Sequence, residues 1–443
     1  MITETTGNYR KKLIFIALPI MLSSIISQLQ MLIDKMFLGR LDIIYMSAVG
    51  NATSPMWITM DIVYTLTAGA TILISHAIGS KDEKRGYELT CAMFKYSSIL
   101  AVAMFLFWIL GTKRIFTLMG VPIEAMEACV MYTRIYSPVF LTLGVGASVA
   151  SMLQNSERTK SLLIYGIIRS FVNIILDWAM IFGHLGFRPM GIKGAALATV
   201  ITEFTVMFIT LIIVIKDKKI KLKPGLQDIL AAKFKPYIET VKMGVPSALE
   251  NFAWNLGNLS IIVLLNTISP VAAGIYTIIF SVELLPICAI GSLGNATLTL
   301  CGQETGRKNY GLIKRIAGTA VLWCLGLSMF ILVMFIMFPD TIMSWFTTDT
   351  SVIMASGIYL AIVGFDLFPK SGNIIIGSAI KGYGDTKWML YTQIFGTVFV
   401  ISVATIAVKV FNMGMTELFC VVVADEMLRS AINYYRLRKI SGN

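Results

Sequence analysis

The chain has 443 residues, of which 56% are hydrophobic and 14% charged, and its mean hydropathy is +0.76. That balance excludes a water-soluble globule and indicates a polytopic membrane protein. The net charge of +12 resides mainly in basic connections between apolar runs, so it requires no nucleic acid as a partner.

Runs long enough to cross about 30 Å of hydrocarbon as helix are expected at 13–38, 53–78, 89–110, 129–152, 162–182 and 194–215. Six more are expected at 238–265, 271–300, 316–338, 353–376, 389–408 and 415–434. The fold class is therefore all-α, with twelve transmembrane helices, because a closed barrel would show short alternating segments instead. The amino terminus, MITETTGNYRKK, leads into an apolar run too long for a signal peptide and without a small-residue cleavage site, so that run is read as the first span. Even-numbered connections and the two termini hold about four times as many Lys and Arg as odd-numbered connections. The expected orientation has both termini cytoplasmic.

Polar residues inside these runs need a reason, since a charged side chain at the bilayer centre costs about 2.5–3.5 kcal/mol on insertion scales. The first span ends LIDKMFLGR. Its Asp34 is either an interfacial residue reaching water beside Lys35 or a member of a buried site. The fifth span, SFVNIILDWAMIFG, places Asn173 and Asp177 on one helical stripe with Arg169. Arg169 and Asp177 are eight residues apart, about 12 Å along a helix, so they do not pair directly. Both acidic spans run in the same direction, which puts Asp34 and Asp177 at similar depth. Asp61, Glu203 and Glu283 are lone acids of other spans, open to either pore lining or packing against a polar neighbour.

Between the sixth and seventh spans lies KDKKIKLKPGLQDILAAKFKP, a basic linker at 216–236. It separates an amino-terminal lobe, 1–215, from a carboxy-terminal lobe, 237–443. In the second lobe Glu250 follows Pro246 in the seventh span, while Asp366 and Lys370 stand four residues apart in the tenth and can neutralise each other. The six cysteines lie in or beside apolar spans without ligand or disulfide spacing and read as core filler.

A shift of 227 residues lays Pro19 on Pro246, Gly79 on Gly306, Tyr132 on Tyr359, Thr159 on Thr386 and Lys160 on Lys387. One offset serves all five pairs, so a six-helix unit has been duplicated with the same topology in both copies. The polar residues inside the spans escape this repeat. Asp34 falls on Ile261, Asn173 on Val400 and Asp177 on Ala404, whereas Glu250, Asp366 and Lys370 fall on Ser23, Val139 and Leu143.

The segments ALPIMLSSIISQLQMLIDKMFLGRL, GAALATVITE and IKGYGDTK occur in that order. Together with the N-x-x-x-D fifth span they resemble the multidrug and toxic compound extrusion (MATE) family of prokaryotic type, over nearly the whole chain. The resemblance implies two six-helix lobes in a V and export of amphipathic, often cationic compounds, driven by inward flow of protons or sodium ions. By motif it assigns Asp34, Asn173 and Asp177 to a cation site in the amino lobe, with Thr199 of GAALAT as a hydroxyl ligand. The carboxy lobe departs from one branch of the family, because Trp254 stands where that branch has an acid and Glu250 lies one turn earlier. Glu250, Asp366 and Lys370 are thus candidates for a polar site there rather than established ligands.

Two carboxylates, an amide oxygen and a hydroxyl suit either a sodium ion or a proton, and no other metal or cofactor is expected. Cation occupancy would neutralise Asp34 and Asp177 and let the first span bend at Pro19, where a helix hydrogen bond is missing. The expected partners are small amphipathic drugs or toxic metabolites and the lipid bilayer of a prokaryotic cell membrane, with the protein acting as a monomer. A lipid-linked sugar flippase is the rival, for which Arg134, Arg169 and Lys370 are the available cations. An enzyme is not expected: there is no G-x-x-x-x-G-K-[ST] or H-E-x-x-H, and the histidines, His76 and His184, lie far apart in the chain.

Overall fold

The computed structural model describes residues 8–39, 43–218, 220, 222–347 and 349–442. Among these it contains fifteen helices. The first eight are α1 (Asn8–Gly39), α2 (Ile43–Gly79), α3 (Glu83–Leu118), α4 (Ile123–Tyr136), α5 (Val139–Asn155), α6 (Lys160–Phe182), α7 (Ile192–Lys216) and α8 (Leu226–Ala231). The rest are α9 (Phe234–Ile268), α10 (Pro270–Gly306), α11 (Tyr310–Met337), α12 (Pro339–Ser344), α13 (Thr350–Tyr383), α14 (Thr386–Lys409) and α15 (Met415–Ile440). Hydrocarbon offers no water to backbone amides, so each crossing satisfies its own hydrogen bonds as a helix.

Among the described residues ten helices are long and apolar enough to cross a membrane, and α4 with α5, bent by 45° where they join, makes an eleventh when the two are counted as one span. The fourth span is therefore broken rather than continuous. Ser137 N still donates to Thr133 O at 2.8 Å, but Pro138 has no N–H for the next bond, and the chain turns there. The twelfth crossing, α15, fails the same apolar test because it carries Glu417, Asp425, Glu426 and Arg429. Its Asp425, Glu426, Arg429 and Asn433 are buried while Met427 and Leu428 are exposed. The polar face points into the protein and the apolar face outward, as lipid neighbours require.

The repeat is visible in the backbone. Helices α2 and α10 begin and end 227 positions apart, and α11 starts 227 positions after α3. Even the intervening turns agree, with Lys81 and Lys308 both left-handed at φ 60°.

Contacts divide the chain into two compact units. One holds Pro19–Ile78 and Asp82–Gly244; the other holds Val245–Asn443, Gly79–Lys81 and the start of α1. The division falls in α1 between Leu18 and Pro19, and in α9 between Gly244 and Val245. In the first unit α3 and α5 approach so closely that a Cβ on Gly144 would meet the Ser97 carbonyl oxygen at 2.4 Å. The basic linker is anchored to this unit. Tyr87 Oη donates to Asp228 Oδ2 at 2.6 Å, Lys95 Nζ donates to Leu230 O at 2.7 Å, and Arg158 Nε donates to Asp217 Oδ2 at 3.0 Å. Hydrogen bonding to Asp217 holds the Arg158 guanidinium above its usual value. In the second unit Leu265, Ile279, Met343, Leu360 and Leu418 belong to one buried apolar cluster.

Candidate functional site

In the first unit α1 and α6 bring their acids together. Asn173 and Asp177 are 1% and 2% exposed, and the Asp34 and Asp177 carboxyl groups stand within hydrogen-bonding reach of each other. Gln30, one turn before Asp34, ties the cluster. Its Nε2 donates to Asp34 Oδ2 at 3.1 Å and to Asn173 Oδ1. Its Oε1 accepts from Ser170 Oγ at 3.2 Å and from Arg169 at 3.5 Å, which fixes the direction of the amide. Asp34 Oδ1, Asp177 Oδ1 and Asn173 Nδ2 are buried and have no hydrogen-bond partner among the described residues. Thr199 donates to Ala195 O at 3.0 Å within its own helix.

Arg169 does not reach Asp177. It pairs with Glu203 of α7, Nε to Oε1 at 2.5 Å, and Tyr165 Oη donates to the other oxygen of Glu203 at 3.3 Å. Glu203 is therefore not a lone acid. The stripe on α6 runs Tyr165, Arg169, Asn173, Asp177, three steps of about one turn each, spanning about 18 Å at 1.5 Å per residue.

The second unit holds a separate set of buried charges. Lys370 pairs with Asp366 at 2.7 Å and also with Glu283 of α10, so Glu283 too has a partner and the tenth-span pair is really a triad. Glu250 meets Lys381 at 3.3 Å. The flippase reading counted Arg134, Arg169 and Lys370 as the available cations, and that count is corrected by Arg429 of α15, which is 5% exposed. Arg429 donates to Asp425 Oδ2 at 2.9 Å, Gln393 Oε1 at 2.7 Å and Glu426 Oε1 at 2.8 Å. Two cavities of about 60 and 230 Å³ share Trp254, Lys370, Gln393, Glu426 and Arg429 in their walls. Sequence reasoning passed over Gln30, Asp425, Glu426 and Arg429. A signal existed in each case: Gln30 precedes Asp34, and Asp425 precedes Arg429, by one helical turn.

The MatE family profile matches residues 19–179 and again 246–406. The chain belongs to the MatE family. The two matched stretches begin and end 227 residues apart, the offset of the internal repeat, so both copies carry the family pattern. A Thermotoga maritima protein named "Probable multidrug resistance protein NorM" is 26% identical over 430 residues, 97% of this chain and 92% of its own. A Pasteurella multocida protein of the same name is 24% identical over 398 residues, covering 87% of this chain and 83% of its own. Among solved structures, the outward-facing conformation of a multidrug resistance MATE family transporter superposes with TM-score 0.90 and 18% identity, over 98% of this chain and 96% of the other. The fold is thus the twelve-helix, two-lobe repeat of a MATE transporter in the cell membrane.

Proposed function

We propose that the protein is a secondary active exporter that carries amphipathic, cationic compounds out of the cell in exchange for an inward-moving proton. The observation that carries this reading is the buried Asp34–Asp177 pair, in which one oxygen of each acid receives no hydrogen bond from any described donor and is left for a proton that the two carboxyls share. Relatives named as multidrug resistance proteins, aligned over nearly the whole chain, support the cargo class.

The donor set fits a proton better than a sodium ion. Sodium is held by several oxygens that replace its water shell, but Gln30 turns amide hydrogens toward Asp34 Oδ2 and Asn173 Oδ1. Those hydrogens repel a cation from two of the oxygens that a sodium site would use. Two facing carboxyls suit proton binding, because like charges so close together disfavour ionisation of both. Loading neutralises the pair, and α1 is proposed to bend at Pro19 in response, since Pro19 supplies no N–H to the turn below it.

A flippase for a lipid diphosphate needs uncompensated positive charge. Arg169, Lys370 and Arg429 are each engaged by carboxylates, which supports the exporter instead. The basic connections support cytoplasmic termini, and a monomer suffices because Asp34 and Asp177 lie within one unit. The test is cation efflux from proteoliposomes with pH and sodium gradients imposed separately. Export driven by pH in wild type and lost in Asp177→Asn supports the proposal; export driven by sodium alone, or unchanged by that substitution, overturns it.

A further inference from the structure

The first unit contains a second feature that the acid pair does not explain. A cavity of about 130 Å³ is walled by Tyr64 of α2, Leu143, Gly146 and Ala147 of α5, Tyr165 of α6, and Glu203 and Met207 of α7. It lies toward the end of the α6 stripe opposite Asp177. Glu203 is the acid in its wall, and that acid is held by Arg169, whose other contact is Gln30. Gln30 in turn holds Asp34. A single guanidinium thus stands between the acid pair and the acid of the cavity.

We propose that this cavity receives the cationic end of the exported molecule, and that Arg169 and the cargo compete for Glu203. The inference rests on the exporter reading above and adds to it the place where cargo binds and the way the proton expels it. When the Asp34–Asp177 pair has given up a proton it is negative, and it draws Arg169 toward Gln30. Glu203 then faces the cavity with a free carboxylate. A quaternary ammonium or protonated amine fits such a site, since a carboxylate supplies the counter-charge and Tyr64 and Tyr165 place aromatic residues, which can bind cations, in the wall. When the pair regains its proton, Arg169 returns to Glu203 and displaces the cargo. The volume holds a headgroup rather than a whole drug, for which pockets of about 300–1,000 Å³ are usual. Selectivity would therefore follow the charged end and leave the apolar remainder free to vary.

Other titratable groups surround the switch. Tyr64 of α2 and Tyr136 of α4 lie within electrostatic range of Glu203 and Arg169, and Tyr132 of α4 within range of Asp34 and Asp177. These are phenols that stay neutral near pH 7. The charges that change or move are thus Asp34, Asp177, Arg169 and Glu203.

The experiment measures binding of benzyltrimethylammonium to the purified full-length protein between pH 6 and pH 8. Wild type is expected to bind at least tenfold more tightly at pH 8. Glu203→Gln should lose tenfold or more at pH 8, and Gly146→Leu should do the same by filling the cavity, where a Cβ at Gly146 meets nothing within 4 Å. Arg169→Gln should bind equally well at both pH values, a loss of pH dependence that mere destabilisation does not produce. The double variant Arg169→Gln, Glu203→Gln carries no unpaired charge and controls for folding. Wild-type affinity and pH dependence in Glu203→Gln and Gly146→Leu would overturn the inference. If those variants bind normally while Asp177→Asn still abolishes pH-driven export, only the cargo site falls. If wild type shows no pH-driven export, the exporter reading falls as well.

Discussion

If the proposed proton-driven exchange holds, the number of protons exchanged per cycle follows from the geometry of the acid pair and can be measured. Asp34 and Asp177 face each other, and among the described residues the nearest guanidinium, that of Arg169, is ion-paired with Glu203 rather than with either of them. Two such carboxyls do not both ionise readily, so the pair cycles between two protons and one shared proton. One proton entering for one monovalent cation leaving moves no net charge. A gradient of one pH unit is worth about 1.36 kcal/mol, so proteoliposomes should accumulate the cation about tenfold. A potential of 100 mV, worth about 2.3 kcal/mol per uncompensated charge, should leave that ratio unchanged. If both carboxyls emptied in each cycle, the ratio would instead be about 100-fold per pH unit and would shift about 50-fold per 100 mV. The assay clamps the potential with potassium and valinomycin at fixed pH difference and reads the steady-state ratio of a fluorescent monovalent cation. A ratio that tracks the potential refutes the shared-proton reasoning. Asp177→Asn should bring the ratio to about one at any potential.

Arg429→Met leaves the buried Asp425 and Glu426 without their partner and should destabilise the protein by about 3–5 kcal/mol, read as thermal unfolding in detergent. Adding Asp425→Asn and Glu426→Gln should restore most of the loss. Gly144→Val puts a methyl-bearing Cβ against Ser97 O and should cost about 1–3 kcal/mol through separation of α3 and α5, measured the same way. Arg158→Ala removes a partly exposed pair and should cost no more than about 1 kcal/mol. Pro19→Ala restores a helix N–H and should slow export with unchanged membrane abundance; wild-type export by this variant would remove the bend of α1 from the cycle.

The crossings were legible because their outward faces meet lipid, so hydropathy alone marks them even where one face is polar. The fourth span read as one helix because Ser137 and Pro138 interrupt the backbone without interrupting the apolar run. In α15 the run survives in Cys420–Ala424, and its charged turn was passed over because opposite charges close together look like a membrane edge. The structure makes that turn interior: Arg429 and its acids are 4–5% exposed. The meeting of Asp34 with Asp177 spans 143 residues of chain; similar depth was the one physical argument for it, beside the motif resemblance that groups the two acids. No periodicity could find the partner of Arg169, since Glu203 lies on the next helix and the pairing depends on how α6 and α7 rotate against each other.

The arrangement in the first unit has a further consequence for energetics. Moving a lobe's charge across hydrocarbon is costly, so a transporter gains if its two loaded states carry the same charge. With two protons on the acid pair and Arg169 on Glu203, the four groups sum to zero. With one shared proton the pair contributes minus one, and a monovalent cation in the cavity restores zero. The empty, singly protonated state alone is charged, and it is the state that an exchanger must not reorient if coupling is to hold. Charge balance can therefore enforce exchange in this lobe without a separate lock, provided that Arg169 and the cargo exclude each other at Glu203. A Glu203→Gln variant breaks the balance in both loaded states. It should slow export of a monovalent cation far more than it slows that of a neutral amphipath; equal slowing of both would show that Glu203 acts only through the fold.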